Sequence, residues 1–167
     1  VLSRAGSLPQ VGKGGGSIEL RAHPGLVLRH AWLAFTRRPR RELAFANSFG
    51  AEDMVLTDLI LSNALPITVF SLDTGRLPAE TYSLIGEVER RYGSKLEIYF
   101  PDASAVETFV RSHGINAFYD SVELRKACCG VRKMEPLRRA LAGRKAWITG
   151  LRAAQSVTRA GLPVREF

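Results

Sequence analysis

Apolar residues from position 42 onwards fall into short runs separated by longer amphipathic segments. Four of the runs are rich in aliphatic, aromatic or β-branched residues, which is typical of strands buried within a sheet. They predict strands at 43–47, 67–72, 96–100 and 146–149. Since a segment of helical length follows each of the first three runs, the pattern predicts parallel strands joined by helical crossovers.

The segments between the runs predict four helices. They span 52–63, 79–92, 103–113 and 132–141. Gly114 is expected to end the third helix, and Pro136 is expected in the first turn of the fourth. Strands that alternate with helices in this way predict an α/β fold with a doubly wound parallel sheet.

Three of the predicted strands end in a small, polar turn that contains glycine. These turns are Asn47-Ser-Phe-Gly50, Leu72-Asp-Thr-Gly75 and Thr149-Gly-Leu-Arg152. In open parallel sheets, ligands bind beyond the carboxyl ends of the strands. Because backbone N–H groups and helix N-termini at such turns bind anions, the turns predict a ligand that bears phosphate. Asp73-Thr-Gly75 also matches the Asp-Thr-Gly motif of aspartic proteases. A helix follows it here, whereas those enzymes have a β-rich scaffold, so we exclude an aspartic protease.

The first quarter of the chain lacks this regular pattern. Residues 1–25 contain the run Gly14-Gly15-Gly16 and have too few spaced apolar residues to bury a face. We predict a flexible basic arm at 1–41, with a short helix at 26–35. The regular part of the chain, 42–167, is predicted to form a single domain.

Composition and charge narrow the classes of partner. The 167 residues carry a net charge of +8, of which +6 lies in residues 1–42. Charge that concentrates on a glycine-rich arm is typical of a solvated tail, so we predict no nucleic-acid partner. No apolar run approaches the ~20 residues of a membrane helix, and we predict no membrane anchor. The only two cysteines are adjacent and form no disulfide framework, which favours a reducing cytoplasm.

The two cysteines, Cys128 and Cys129, are the strongest candidates for chemistry. Adjacent cysteines fit an ordinary intramolecular disulfide poorly. Four cations stand nearby, namely Arg125, Lys126, Arg132 and Lys133. Because cationic neighbours favour thiolate, the pair is predicted to be a metal ligand or a reactive centre. The alternative is that both are small buried apolar side chains, a common role for free cysteine.

Four motifs in this order resemble one protein family. They are Ser48-Phe-Gly-Ala-Glu-Asp-Met54, Ser71-Leu-Asp-Thr-Gly-Arg-Leu-Pro-Ala-Glu-Thr-Tyr82, Cys128-Cys-Gly-Val-Arg-Lys-Met-Glu-Pro-Leu137 and Trp147-Ile-Thr-Gly-Leu-Arg-Ala-Ala-Gln-Ser-Val-Thr-Arg159. Together they resemble the assimilatory adenylyl-sulfate (APS) reductases, which are relatives of the phosphoadenylyl-sulfate (PAPS) reductases. The cysteine pair points to the APS branch, because the cluster-free PAPS enzymes lack it.

The resemblance implies a fold and an activity. The fold would be the three-layer, parallel-sheet fold of the adenine-nucleotide α-hydrolases, and the activity a thiol-dependent reduction of APS to sulfite and AMP in assimilatory sulfate reduction. Thioredoxin or glutaredoxin would be the reductant. Glu52 stands where ATP-using relatives tend to have a lysine, which argues against ATP cleavage. Assembly into a homo-oligomer stays open.

The resemblance also assigns residues to the nucleotide. Asn47, Ser48 and Gly50 would line the ribose and phosphate. The backbones of Leu72 and Gly150 would contact the adenine.

Three cations and the cysteine pair complete the implied site. Lys133 and Arg159, with Arg152 as a third cation, would neutralise the phosphosulfate group, because preorganised positive charge stabilises an anionic leaving group. Cys128 and Cys129 match the first pair of ligands to a [4Fe–4S] cluster.

The chain departs from the family in one respect. A [4Fe–4S] cluster takes four cysteine thiolates, and this chain has two. The second pair and the nucleophilic cysteine of the family are expected beyond Phe167, so the domain is expected to be incomplete at its C-terminus and to have no catalytic cysteine of its own. Two alternatives to APS reduction remain, namely a PAPS reductase and a non-catalytic fragment that binds adenine nucleotides.

Overall fold

The computed structural model describes Leu2, Ser3 and residues 43–150. The strands are β1 (Leu2–Ser3), β2 (Leu43–Ala46), β3 (Thr68–Leu72), β4 (Glu97–Tyr99) and β5 (Ala146–Thr149). The helices are α1 (Ala51–Ser62), α2 (Ala79–Tyr92), α3 (Ala103–His113), α4 (Val122–Cys129) and α5 (Glu135–Leu141). A 3₁₀ turn spans Ala117–Tyr119, and a π-helical turn spans Gly130–Met134. The arm predicted at 1–41, apart from Leu2 and Ser3, and its helix at 26–35 lie outside the described residues.

The strands form a sheet in the order β1-β5-β2-β3-β4. β2 pairs in parallel with β5, with Leu43 opposite Ala146. β3 pairs in parallel with β4, with Phe70 opposite Glu97. This confirms the predicted α/β fold with a parallel sheet, and all four predicted strands are present. The sequence did not predict β1, which pairs antiparallel with β5.

Contacts divide the chain into two compact units. The described part of the first unit comprises Leu2, Ser3, 43–69 and 143–150. Its core includes β2, where Leu43, Ala44 and Phe45 are all buried, as expected of a continuous apolar run in a parallel sheet. Arg144 donates a hydrogen bond to the Thr68 hydroxyl at 2.9 Å and so links two segments of this unit.

The second unit comprises residues 70–142. The observed bounds of α2 and α3 equal those predicted from their amphipathic patterns, because residues typical of helix ends flank both helices. α2 ends at Gly93, which has a left-handed φ of 61°. The Asp102 side chain caps α3 by accepting from the Ala105 N–H at 2.8 Å, and Gly114 follows the last residue of α3 as predicted. Among the described residues, no helix is both long and apolar enough to cross a membrane.

The fourth predicted helix, 132–141, is wrong at its start. Helical backbone begins at Val122, where the Ser121 hydroxyl accepts from the Leu124 N–H at 3.1 Å, and continues through the π turn into α5. The apolar pattern before residue 132 is weak, and Gly130 and Pro136 look like interruptions, so periodicity alone hides the first half. Pro136 therefore lies near the start of α5 but well inside a longer helical run.

Candidate functional site

The turn after β2 has a conformation that its own side chains hold in place. Phe49 has a φ of 62°, in the left-handed region that residues with a side chain seldom adopt. The buried Asn47 accepts from the Phe49 N–H at 2.7 Å and donates to the Thr57 hydroxyl at 2.9 Å. These bonds offset the strain at Phe49, and such strain is common where a backbone is shaped for a ligand.

Asp53, in the first turn of α1, organises the remainder of this turn. Its buried carboxylate accepts from the Ser48 N–H at 2.7 Å and from the Ser48 hydroxyl at 2.5 Å. A Cβ atom built at Gly150 would overlap the same carboxylate, so only glycine fits at the end of β5. Two predicted residues of the first unit, Ser48 and Gly150, thus meet around one acid. Gly50 belongs to the same turn, and its Cβ position would lie 3.5 Å from the Ser48 hydroxyl oxygen.

Asp53 was not among the site residues predicted from the sequence. An acid in the first turn of a helix, five residues after a serine at a strand end, is the signal that could have found it. The N–H and the hydroxyl of Ser48, both in the predicted phosphate loop, already donate to the Asp53 carboxylate. The first N–H groups of α1 lack intrahelical acceptors and remain available to an anion.

The turn after β3 is built around a second buried acid, Asp73. Its carboxylate accepts from the Gly75 N–H at 2.7 Å and from the Tyr82 hydroxyl at 3.0 Å. The hydrogen bond to Asp73 raises the pKa of the Tyr82 phenol above its usual value of 10.0. Leu72, predicted to contact adenine through its backbone, is the last residue of β3 and pairs with Tyr99 of β4.

Arg132 fixes the same turn from the π-helical side. Its buried guanidinium donates to the Thr74 carbonyl at 2.7 Å. One of its nitrogens would be 3.2 Å from a Cβ atom at Gly75, whose φ is 71°. From the sequence, Arg132 was only a cation near the cysteines, and the structure shows its contact with Thr74.

A cavity of about 390 Å³ lies in the second unit. Both cysteines line it, together with Thr74 and the aromatic rings of Phe118 and Tyr119. Its charged lining is entirely cationic and consists of Arg76, Arg125, Arg132 and Lys133. The cavity therefore combines two thiols with a concentration of positive charge.

Two of these cations hold the wall of the cavity. Arg76 donates to the Ile115 carbonyl at 2.6 Å and to the Asn116 side chain at 2.8 Å, and it lies 4.7 Å from the centre of the Phe118 ring. Arg125 donates to the Phe118 carbonyl at 3.3 Å. These contacts fix the 3₁₀ turn beside the cavity.

Lys133 differs from the other cations of the cavity. It forms no hydrogen bond or ion pair with another residue in the described part of the chain, and its side chain is exposed. Its ammonium group can therefore reach an anion in the cavity without giving up an existing contact.

The two cysteines have different surroundings. Cys128 is buried and packs in an apolar cluster with Phe109 and Ala117, whereas Cys129 is partly exposed. The burial of Cys128 agrees with the alternative that the cysteines are small apolar side chains. Both thiols also line the cationic cavity, as a metal ligand or reactive centre would have to do. Within the described ranges, no group of three or more His, Cys, Asp or Glu side chains is arranged to hold a metal ion.

The predicted site residues that the structure describes belong to both compact units. Asn47, Ser48, Gly50 and Gly150 belong to the first unit, and Leu72, Lys133 and the cysteine pair to the second. Arg152 and Arg159 lie outside the described residues.

Comparison with known proteins decides the family. Residues 42–167 match the phosphoadenosine phosphosulfate reductase domain. The chain belongs to this family. The phosphoadenosine phosphosulfate reductase domain thus covers all the described residues except Leu2 and Ser3, and the resemblance found in the four motifs is confirmed.

The relatives are named adenosine 5'-phosphosulfate reductases. The protein from Allochromatium vinosum is 60% identical over 125 residues, which cover 75% of this chain and 49% of the relative. The protein from Burkholderia cepacia is 56% identical over 125 residues, covering 75% of this chain and 50% of the relative. A third, from Neisseria meningitidis serogroup B, is 42% identical over 161 residues, covering 96% of this chain and 64% of the relative. The chain spans about half the length of the first two relatives.

A solved structure of the family has a similar fold. The phosphoadenylyl-sulfate reductase from Candida auris, in a phosphate complex, superposes with a TM-score of 0.64 at 28% identity. The match covers 79% of this chain and 62% of that structure. It agrees with the parallel α/β sheet and with the predicted nucleotide α-hydrolase-like fold.

Proposed function

We propose that the whole protein reduces adenylyl sulfate to sulfite and AMP in the assimilation of sulfate. The 60% identity to an adenosine 5'-phosphosulfate reductase carries this proposal, and the thiol pair in a cationic cavity supports it. Two electrons come from a dithiol, which is oxidised to a disulfide as the sulfuryl group becomes sulfite and AMP leaves. The reductant is a thioredoxin or a glutaredoxin, and the reduced thiols suit the cytoplasm.

The turns after β2 and β5 bind the nucleotide in this proposal. Asn47, Ser48 and Gly50 contact the ribose and the phosphate, and the backbone of Gly150 contacts the adenine. The strained turn at Phe49 and the N-terminus of α1 support an anion there, because unpaired N–H groups at a helix start favour negative charge. The carboxylate of Asp53 keeps the Ser48 donors aligned.

In the same proposal, the backbone of Leu72 contacts the adenine and a cavity cation meets the sulfate. Lys133 neutralises the sulfate, since it is the cavity cation that has no other described partner. Arg152 and Arg159 add positive charge to the phosphosulfate. Such charge is most effective where negative charge develops as AMP departs.

The cysteine pair fits half of an iron–sulfur site. Cys128 and Cys129 line a cavity that has room for a cluster. The four cations that also line this cavity can balance the charge of thiolates. We propose that they are two of the four ligands of a [4Fe–4S] cluster. Such a cluster would supply a thiolate-ligated iron centre whose potential depends on burial and on hydrogen bonds to sulfur. Lys133 would then lie beside the cluster ligands as well as beside the sulfate.

A PAPS reductase is the second candidate. The fold match to a phosphoadenylyl-sulfate reductase favours it, but the identity to that structure is 28% and the first relatives are all APS reductases. The adjacent cysteines also have no role in a cluster-free enzyme.

Competition binding distinguishes the two candidates. A fluorescent AMP analogue bound to this chain should be displaced by APS at a concentration at least about tenfold lower than by PAPS, which is a difference of ~1.4 kcal/mol. ATP should compete poorly, because Glu52 would repel a longer phosphate chain. Stronger displacement by PAPS than by APS would favour the second candidate, and no displacement by any of the three would exclude both.

A further inference from the structure

The helical run that carries the cysteines contains a proline in its interior. Cys129, Gly130, Met134 and Glu135 all have right-handed helical φ and ψ values, so the backbone turns without a break from α4 into α5. In a regular α-helix, residue 136 would donate its N–H to the Arg132 carbonyl. Pro136 has no N–H, and its ring would collide with that carbonyl.

The π-helical turn removes this conflict. The Glu135 N–H donates to the Gly130 carbonyl, five residues back, instead of to the Val131 carbonyl four residues back. The wider turn leaves room for the proline ring, which is fully buried. Proline and π turn are therefore two parts of one local arrangement.

This arrangement changes which residues share a face of the helix. Successive residues of an α-helix are about 100° apart, so the two cysteines define an arc of about 100°. In an uninterrupted α-helix, Lys133 would lie about 140° from Cys128 and so outside that arc. A π turn rotates less per residue because each hydrogen bond spans one residue more, and it brings Lys133 back towards the cysteines.

The rotation at the π turn also sets the direction of the Arg132 side chain. Arg132 is one of the residues of the π turn, and its guanidinium must point at the Thr74 carbonyl to make the observed 2.7 Å bond. At the end of the run, α5 is anchored independently, since Arg139 pairs with Glu135 and donates to the Phe100 carbonyl. With α5 held, a change of register would be transmitted to the cysteines.

We propose that Pro136 is a positioning residue, which imposes the π turn and thereby sets Lys133 and the cysteine pair on one face of the helix, towards the cavity. The importance of that face for sulfate and cluster rests on the proposed function. The register itself does not, so it can be tested without substrate or iron.

The register can be read directly by nuclear magnetic resonance. Couplings transmitted across hydrogen bonds identify the acceptor of each backbone N–H. In the unmodified chain, Glu135 N should couple to the Gly130 carbonyl carbon. If it couples to the Val131 carbonyl carbon instead, the π turn is absent and the proposal fails without any variant being made.

Two substitutions then test the role of the proline. Pro136→Ala restores the N–H, and Pro136→Val restores it while keeping most of the buried volume. In both, the Glu135 coupling should move to Val131, and a new coupling should join residue 136 to the Arg132 carbonyl. Leu137→Ala is the matched control, because this half-buried neighbour loses packing without gaining a donor, and its couplings should stay as in the unmodified chain.

A chemical measurement reports the consequence for the site. Succinimidyl iodoacetate joins a thiol to a nearby amine, and the yield of the Cys128–Lys133 product can be measured by mass spectrometry, since this is the pair that an uninterrupted α-helix would separate by about 140°. We expect at least a threefold lower yield in the Pro136→Val chain than in the Leu137→Ala chain. An unchanged Glu135–Gly130 coupling, or an unchanged yield, in a folded Pro136 variant would overturn the proposal, whereas failure of APS to bind would affect the proposed function alone.

Discussion

Asp53 is the single residue on which most of the first unit's turn depends. It accepts both donors of Ser48, and its carboxylate occupies the space next to Gly150. Hydrogen bonds to a charged group contribute more than neutral ones, so this contact is a large share of the turn's local stability. A single methyl group on residue 150 would overlap the Asp53 carboxylate.

Gly150→Ala should therefore destabilise the chain. The added Cβ displaces the Asp53 carboxylate from Ser48, and overpacking of this kind costs about 1–3 kcal/mol. The free energy of unfolding in urea measures the loss. Gly86→Ala is the control, since nothing lies within 4 Å of its Cβ position in α2, and alanine there should stabilise the helix by about 0.5–1 kcal/mol. Equal unfolding midpoints for the Gly150 variant and the unmodified chain would show that Asp53 does not depend on this glycine.

The sequence indicated these residues unevenly. Polar residues and glycines at strand ends predicted the turns that contain Asn47, Ser48, Gly50 and Gly150, and the resemblance to the reductases singled out these four residues. Asp53 and Arg132 were not predicted as site residues. The role of Asp53 depends on the direction of its side chain, and that of Arg132 on a contact with a residue distant in sequence. Composition and spacing contain no signal for a contact such as that from Arg132 to Thr74, 58 residues away.

Among the elements, the junction of α2 and β4 depends on one carboxylate. Glu89, near the end of α2, accepts from the Lys95 ammonium at 3.0 Å and from the Leu96 N–H at 3.2 Å. The hydrogen bond from Lys95, followed by that from the Leu96 N–H, lowers the pKa of Glu89 below its usual value of 4.5. The helix end and the strand start are thus joined through the ionised form of this side chain.

The pH dependence of stability should reveal this junction. Since the pKa of Glu89 is lower in the folded chain than in the unfolded chain, its contribution is present above about pH 4.5 and is lost as the pH falls through the folded value. Glu89→Gln should therefore flatten the decrease in unfolding free energy below pH 4.5. Glu107→Gln provides the comparison, because Glu107 is exposed and its ion pair with Arg111 is 4.0 Å long. The same acid slope in both variants would contradict the role of Glu89.

Elements were predicted well where periodicity and end signals agreed. α2 and α3 have their predicted bounds because an amphipathic pattern ends at a glycine in both cases. The run from Val122 to Leu141 was predicted only in its second half, since a π turn breaks the 3.6-residue period on which the prediction depends.

For the molecule as a whole, the order of the motifs was more informative than any one of them. The sequence predicted an α/β parallel sheet and the APS reductase resemblance, and the family match over residues 42–167 confirms the family. The pairing of Leu2 and Ser3 with β5 could not be predicted, because two residues are too few to show a period. The single domain at 42–167 stays a prediction, and the two compact units depend on which distant segments pack together.

Under the proposed function, Lys133 recognises the sulfate of adenylyl sulfate. Isothermal titration calorimetry with APS and with AMP tests it most directly, since the two ligands differ only in the sulfuryl group. Lys133→Ala should weaken APS about tenfold or more, because loss of a charge-assisted contact costs ~1.5–3 kcal/mol, while AMP affinity should change less than about twofold. Lys126→Ala, an exposed lysine of α4 that does not line the cavity, should change neither. Equal losses for APS and AMP in the Lys133 variant, or no loss for APS, would contradict the account.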